Sequence, residues 1–190
     1  MPFCLPSSGE QPSRPQRHDS RVGVTIRRAE ADDWQVCRDI RLRALREEPQ
    51  AYESAFEDEQ HLSDQQWRDR LARASTYLAV DHEKVVGTAV GLLQDNGDML
   101  IVAMYVAPEA RGRGIAARLI DEIATMAIVR GSRRLVLDVA DGNVTAERSY
   151  LRYGFVPIGL RVPMLRNPTV FQTRLVYALP RAGGGVTGPD

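Results

Sequence analysis

The sequence predicts a mixed α/β domain, one sheet with helices on both faces, in the order β-α-α-β-β-β-α-β-α-β-β. Three observations carry that reading. Apolar runs of strand length lie at Ser75 to Val80, Val85 to Leu93 and Met99 to Val106, with turn residues between them. A helical stripe of Ile115, Leu119, Ile123, Met126 and Ala127 follows the third run. A strand, a helix and two more strands then complete the order. A run of hairpins followed by strand–helix–strand combines antiparallel and parallel pairing in one sheet.

The first strand spans Gly23 to Arg28, where Val22, Val24 and Ile26 alternate with polar or small residues. A helix starts at Asp32 or Asp33, presents Trp34, Cys37, Ile40, Ala44 and Leu45 on one face, and stops before Pro49. A polar, irregular segment follows. Ser63 then caps a short helix with Trp67, Leu71 and Ala74 on its buried side. Asp81 to Lys84 turns the second strand into the third. Asp95-Asn96-Gly97-Asp98 predicts a type I′ hairpin turn, because Asn-Gly readily adopts two positive φ values. The run Met99 to Val106 is apolar throughout, as suits a central strand covered on both sides. Gly131 ends the striped helix, Leu135 to Val139 is a strand, and Asn143 to Tyr153 is a helix stopped by Gly154. Phe155 to Gly159 and Phe171 to Leu179 are the last strands.

The domain accounts for residues 23–180. Residues 1–22, with Pro2, Pro6, Pro12 and Pro15 among polar residues, read as a disordered tail, and residues 181–190, with Gly183, Gly184, Gly185 and Gly188, as a second one. The 190 residues hold 25 Lys+Arg and 25 Asp+Glu. That balance argues against a generally basic nucleic-acid binder. Lys84 is the only lysine, a skew best explained by codon usage. The N-terminus lacks the pattern of a signal peptide, and no apolar stretch is long enough for a membrane span. Cys4 and Cys37 make no disulfide framework, and no Cys or His pair has metal-ligand spacing, so a reduced, metal-free cytoplasmic protein is expected.

The stretch that carries chemistry is Val106-Ala107-Pro108-Glu109-Ala110-Arg111-Gly112-Arg113-Gly114-Ile115-Ala116. A strand ends, two glycines remove side chains, and a helix begins. Successive backbone N–H groups at a helix N-terminus make an anion site, and Arg111 and Arg113 add charge suited to a pyrophosphate. Ala117 stands where a dinucleotide fingerprint needs its third glycine, and the Gly-Lys-Ser/Thr of a Walker loop is absent. Taken alone, the loop is as well explained by an ordinary strand-to-helix turn.

Two motifs together resemble the GNAT superfamily of acyl-CoA N-acyltransferases. Arg111, Gly114 and Ala116 fit Arg/Gln-x-x-Gly-x-Gly/Ala. Asn143, Ala146, Tyr150, Gly154 and Phe155 fit N-x-x-A-x-x-x-Y-x-x-x-G-F, one helix and one strand later. The resemblance covers roughly Val22 to Pro180 and implies acetyl-CoA as co-substrate. The strands holding Met104 to Val106 and Leu135 to Val139 should then splay, leaving backbone groups to bind pantetheine as an added strand would. Gly112, Arg113, Gly114, Ile115 and Ala116, with Arg111, should hold the pyrophosphate. Backbone N–H groups near Tyr105 and Val106 should polarise the thioester carbonyl, a contact worth about 10²–10³ in rate elsewhere. Tyr150 matches the family tyrosine that donates a proton to the departing thiolate. Tyr153 is assigned to packing. Asn143 caps its helix, contacts the pantetheine arm, or does both.

An acceptor amine must lose a proton to attack, and an amine with a pKa near 10.4 is neutral in only about one molecule in 10³ at pH 7. The glutamate that some family members carry on the strand before the loop is absent, with Leu100 or its neighbours in its place. Asp98, Asp138 and a water chain remain as candidates for the base. From Glu47 to Asp69 the chain carries Glu47, Glu48, Glu53, Glu57, Asp58, Glu59, Asp64 and Asp69 against Arg68 alone. This run is either a solvated loop or an electrostatic funnel for a cationic amine. Tyr52 and Phe56 form an aromatic wall there or anchor the loop, and the connection Arg161 to Thr169 should close the other side. The resemblance thus implies N-acetylation of a primary amine in a ternary complex, with a small cationic amine favoured. A protein N-terminus or lysine is the alternative acceptor, and a CoA-sensing module without catalysis is the non-enzymatic alternative. It also allows a homodimer.

Overall fold

The computed structural model describes residues 23–180, so the tails expected at 1–22 and 181–190, and Cys4, lie outside the described residues. In chain order the elements are β1 (Thr25–Arg28), α1 (Trp34–Glu47), α2 (Phe56–Glu59), α3 (Asp64–Arg73), β2 (Ser75–Asp81), β3 (Lys84–Leu93), β4 (Met99–Val106), α4 (Ile115–Val129), β5 (Arg134–Ala140), α5 (Val144–Tyr153), β6 (Val156–Pro163) and β7 (Phe171–Ala178). The strands form one mixed sheet in the order β1-β2-β3-β4-β5-β7-β6. Only β4 and β5 run parallel. β4 is therefore the central strand that its continuous apolar run predicts.

Local chemistry sets most boundaries. Ser63 accepts the N–H of Gln66, whose side chain reaches back to Ser63 N–H, so a capping box starts α3. Asn143 starts α5 by accepting the N–H of Ala146 at 3.2 Å. Three expectations change. Segment 49–59 is not simply irregular, since one-turn helices form at Pro49–Ala51 and Phe56–Glu59. The β3–β4 turn is not type I′, because among residues 95–98 only Gly97 has positive φ, at 82°. Asn96 instead bonds Asp98, its carbonyl taking Asp98 N–H at 3.0 Å, and a three-residue loop closes through Gln94 N–H to the Asp98 carbonyl. Finally, β6 does not end at Gly159. The pairing with β7 is irregular between Pro157 and Arg161 and then resumes to Pro163, so the last connection shortens to 164–170.

The strand register shows where the two long helices lie. A Cβ on Gly87 would touch Ile115 of α4 at 3.5 Å, so Gly87 faces α4. Its partner Val106 shares that face, and the adjacent pair Thr88 and Tyr105 points to the other. Tyr105 bonds Glu47 of α1 there, so α1 and α4 cover opposite faces. Gly91 is small for the same reason as Gly87: a Cβ would lie 3.1 Å from Met126 and 3.2 Å from Ile123. Leu78, Ala89, Met99, Leu119, Ile123, Leu135, Leu137, Phe155 and Leu175 are buried in the core between these layers.

Candidate active site

β4 and β5 pair only at Met99↔Leu135 and Leu100↔Val136. Beyond Leu100 the ladder stops and the strands part, which is the predicted splay. The parting coincides with a bulge. On β4, Val102 pairs with Val90 and Tyr105 with Thr88, so Ala103 and Met104 together oppose Ala89. Ala103 has φ 51°, a left-handed conformation that costs a non-glycine residue roughly 1–2 kcal/mol. Strain of this kind persists where surrounding structure enforces it, often at functional sites. Nothing in the apolar sequence around Ala103 announces it.

The glycine loop lies directly past this end of β4. Gly112 and Gly114 have φ 76° and 72°. A Cβ at either would meet nothing within 4 Å, so backbone conformation, not crowding within the chain, calls for glycine. Gly114 is the N-cap of α4, with no side chain over the first-turn N–H groups of Ile115 and Ala116. The arginines are engaged. Arg111 donates its Nε–H to the Val106 carbonyl at 2.9 Å and pairs with Glu48 through Nη2. Arg113 pairs with Asp81 at 2.5 Å, toward the β2–β3 turn.

Tyr105 belongs to the site by its backbone, because its phenol is buried and donates to Glu47 at 2.5 Å. That bond and Arg43 hold the Glu47 carboxyl below its usual range. Tyr52, ahead of α2, donates to the Met104 carbonyl at 3.0 Å and lies under Arg41, so it anchors the segment to the bulge. Phe56 likewise lies against Arg46. Tyr150 on α5 is 8% exposed and packs edge-on against Phe155. Among the described residues its hydroxyl has no hydrogen-bond partner, and it is not one of the occluded unpaired atoms. Burial, with the Glu48 charge, holds its proton well above the ordinary tyrosine range. The Tyr52 phenol is raised by burial and by Glu48, and also feels Arg41, Tyr150 and Tyr105, so these groups share one neighbourhood. Tyr153 instead donates to Asp121 at 2.8 Å and joins the Phe155–Tyr177 aromatic cluster.

The two acid candidates for the base do not stand free. Asp98 is buried, precedes β4 at the paired end of the wedge, and is bound by Arg134 at 3.0 and 2.7 Å. Asp138 is bound by Arg174 at 2.9 and 2.8 Å. Four of the eight carboxylates of the acidic run are ion-paired. Glu59 is buried under Arg41 and Arg70, Glu47 meets Arg43, Glu48 meets Arg111, and Glu57 lies 3.8 Å from Arg166. Glu53 accepts the N–H of Leu165 at 2.9 Å and the amide of Gln172 at 2.8 Å, tying this segment to the 164–170 connection. The sequence reading overestimated the free charge because the compensating arginines lie outside residues 47–69.

Burial raises the Cys37 thiol to about 12, which leaves it protonated at neutral pH. Among the described residues no helix is long and apolar enough to cross a membrane, and no group of three or more His, Cys, Asp or Glu could hold a metal ion.

The strand wedge, the left-handed glycine turn at the N-terminus of α4 and the buried Tyr150 belong to one mixed-sheet domain. The sequence model of the acetyltransferase (GNAT) family matches residues 40–155, more than half of the chain, and the protein belongs to that family. No curated protein sequence matches it. The fold is similar to YncA from Salmonella typhimurium, solved with its cofactor acetyl-CoA: TM-score 0.69 and 17% identity, over 87% of this chain and 99% of that one. Ard1 from Thermoplasma volcanium aligns with TM-score 0.67 and 19% identity over 84% and 100%. The ribosomal-protein-S18-alanine N-acetyltransferase from Escherichia coli aligns with TM-score 0.61 and 16% identity over 87% and 99%.

Proposed function

We propose that this acetyltransferase uses acetyl-CoA to N-acetylate a primary amine by direct attack in a ternary complex. The observation that carries the reading is the meeting, at one end of β4, of the wedge, the bulge at Ala103 and the glycine turn, with the Tyr150 phenol in the neighbourhood of Tyr52, which bonds the Met104 carbonyl. The co-substrate supplies an activated acetyl group as a thioester. Backbone groups of Met104, Tyr105 and Val106 line the wedge and take the pantetheine arm in place of a strand. First-turn N–H groups of Ile115 and Ala116, with Arg111, Gly112, Arg113 and Gly114, hold the pyrophosphate. Arg111 and Arg113 must share their charge with Glu48 and Asp81 there. Asn143 uses its carbonyl as the helix cap and keeps its Nδ2–H groups for the pantetheine arm.

Tyr150 is the catalytic donor. Its raised proton affinity keeps the phenol protonated across the working pH range. It exceeds that of a thiol, whose ordinary pKa is about 8.5, so the phenol steadies the departing sulfur chiefly by hydrogen bonding. The protonated Cys37 supports direct transfer over an acyl-cysteine route.

The acceptor enters between residues 49–63 and the 164–170 connection. With four of the eight carboxylates of residues 47–69 ion-paired, charge alone does not select a small cationic amine, and the acceptor is assigned at the class of primary amines. A thiol-release screen with small amines, amino acids and peptides tests it, and peptides turning over while small amines do not would assign a protein acceptor. Cytoplasmic location belongs to the same reading. A homodimer is supported by the outer edge strand β6, where Val156, Ile158 and Leu160 are 58%, 52% and 42% exposed, and sedimentation over a concentration series tests it.

A further inference from the structure

The acceptor base is the part of the reaction that the two acid candidates from sequence leave unfilled. Asp98 stands at the closed end of the wedge, and both Asp98 and Asp138 are held by bidentate arginines. One carboxylate does stand at the open end. Glu48 follows the last turn of α1, about a third exposed, and its partner Arg111 also binds the Val106 carbonyl at the mouth of the wedge. Glu48 is therefore one guanidinium away from the backbone that lines the acyl site.

We propose that Glu48 accepts the proton of the attacking amine and that Arg111 masks it until a diphosphate competes for the same guanidinium. The proposal rests on the acetyltransferase reading above. As the amine nitrogen forms its bond to the acyl carbon, the carbon–sulfur bond breaks and its electron pair leaves on sulfur. An ammonium acceptor first loses one proton to solvent through Glu48; the N–H proton released as the amide forms passes to Glu48 in turn, and Tyr150 hydrogen-bonds the sulfur. Glu48 then returns the proton to the thiolate or to solvent, which restores both groups. The titratable and charged groups around Glu48 suit this cycle. Arg111 comes from the loop before α4, Tyr150 from α5, and Tyr52, with Arg41 over its ring, from the segment after α1. Beyond them, Glu47 is taken by Tyr105 and Arg43, and Glu109 by Arg43. Among the described residues Glu48 and Asp81 both pair with arginines of the anion loop, but only Glu48's partner, Arg111, also binds the Val106 carbonyl at the wedge.

The test is Glu48→Gln with two readouts of opposite sign. Calorimetry with CoA alone, without an acceptor, should give a Kd lowered roughly two- to fivefold, the scale of one exposed ion pair removed as a competitor. Acceptor kcat/KM near pH 7 should fall by about 10²-fold or more. Glu48→Ala should regain amine turnover on addition of formate, a small carboxylate able to occupy the vacated position. Turnover of Glu48→Gln close to wild type overturns the proposal. So does a parallel loss of CoA binding and turnover with no rescue by formate, which would mean that Glu48 only supports the loop. If the wild-type protein binds CoA yet turns over no amine or peptide, the function reading itself has failed, and the tightening of CoA binding in Glu48→Gln still decides whether Glu48 masks Arg111.

Discussion

Tyr153 gives its phenol hydrogen to Asp121 across a 2.8 Å bond, joining α5 to α4. Tyr150, one turn earlier on the same helix, has no such partner among the described residues. Two tyrosines that look alike in sequence are thus separated by what their hydroxyls touch. Tyr150→Phe should lower kcat by about 10²-fold or more while leaving CoA affinity nearly unchanged. Tyr153→Phe should keep kcat and lose about 0.5–1.5 kcal/mol of stability, the worth of one hydrogen bond. Steady-state kinetics and urea titration of the pair check this, and equal mild effects on kcat would remove Tyr150 from its role.

The turn at Gly112 and Gly114 should be sensitive to a single methyl group. Both residues have positive φ in open surroundings, so Gly114→Ala meets no clash and pays only for its conformation, roughly 1–2 kcal/mol. Relaxing that strain turns the first N–H groups of α4. CoA affinity should fall about tenfold and the melting temperature by about 2–8 °C, as calorimetry and a thermal scan would register.

Glu53 links the two segments that flank the acceptor entrance. Removing a carboxylate that accepts three hydrogen bonds, from the Leu165 and Arg166 N–H groups and the Gln172 amide, should cost about 1.5–3 kcal/mol locally. Glu53→Ala should therefore raise the acceptor KM about tenfold and leave the KM for acetyl-CoA near wild type. A rise in both would place the latch elsewhere.

Glu59 is a stability prediction with a pH signature. Its side chain is 4% exposed; burial opposes its ionisation, but the Arg41 hydrogen bonds and the charges of Arg41 and Arg70 outweigh that and depress its pKa. A depressed carboxyl contributes stability that is complete above the unfolded value, about 4.3, and is lost as pH falls through the folded value. Glu59→Gln should cost about 3 kcal/mol at pH 7, the low end for a broken buried pair because Arg70 is half exposed. The gap between variant and wild type should narrow in unfolding titrations below about pH 4.

The paired acidic run makes a kinetic statement. A free anionic funnel would make kcat/KM for a cationic amine fall steeply with ionic strength. Because Glu47, Glu48 and Glu59 already hold arginines, the dependence should be shallow. A salt series on one diamine acceptor measures it.

The sequence made the fold legible because its signals were local. The α4 stripe, the Ser63 and Asn143 caps and the Gly114 turn each rest on a few neighbouring residues, and each appears as read. The site was legible where motif and backbone coincide, at the loop and at the wedge between β4 and β5. It was not legible where distant residues meet. Glu48 on Arg111, Tyr52 on the Met104 carbonyl and Glu53 on Leu165 span from 52 to 112 positions, and no periodicity carries such pairings. Ala103 was hidden differently, since its strain comes from the two-against-one register with β3. The Asn96–Gly97 turn was misjudged because the Asn96 side chain, bonded to Asp98, settles a loop one residue longer.

Each role assigned above requires amine-dependent transfer at the end of β4. Thiol release from acetyl-CoA, followed across a panel of primary amines and peptides for the wild type and Tyr150→Phe, tests that most directly. At least one amine should accelerate release in the wild type, and Tyr150→Phe should cut that acceleration about 10²-fold or more while still binding CoA. Tight CoA binding with no acceleration by any acceptor would contradict it.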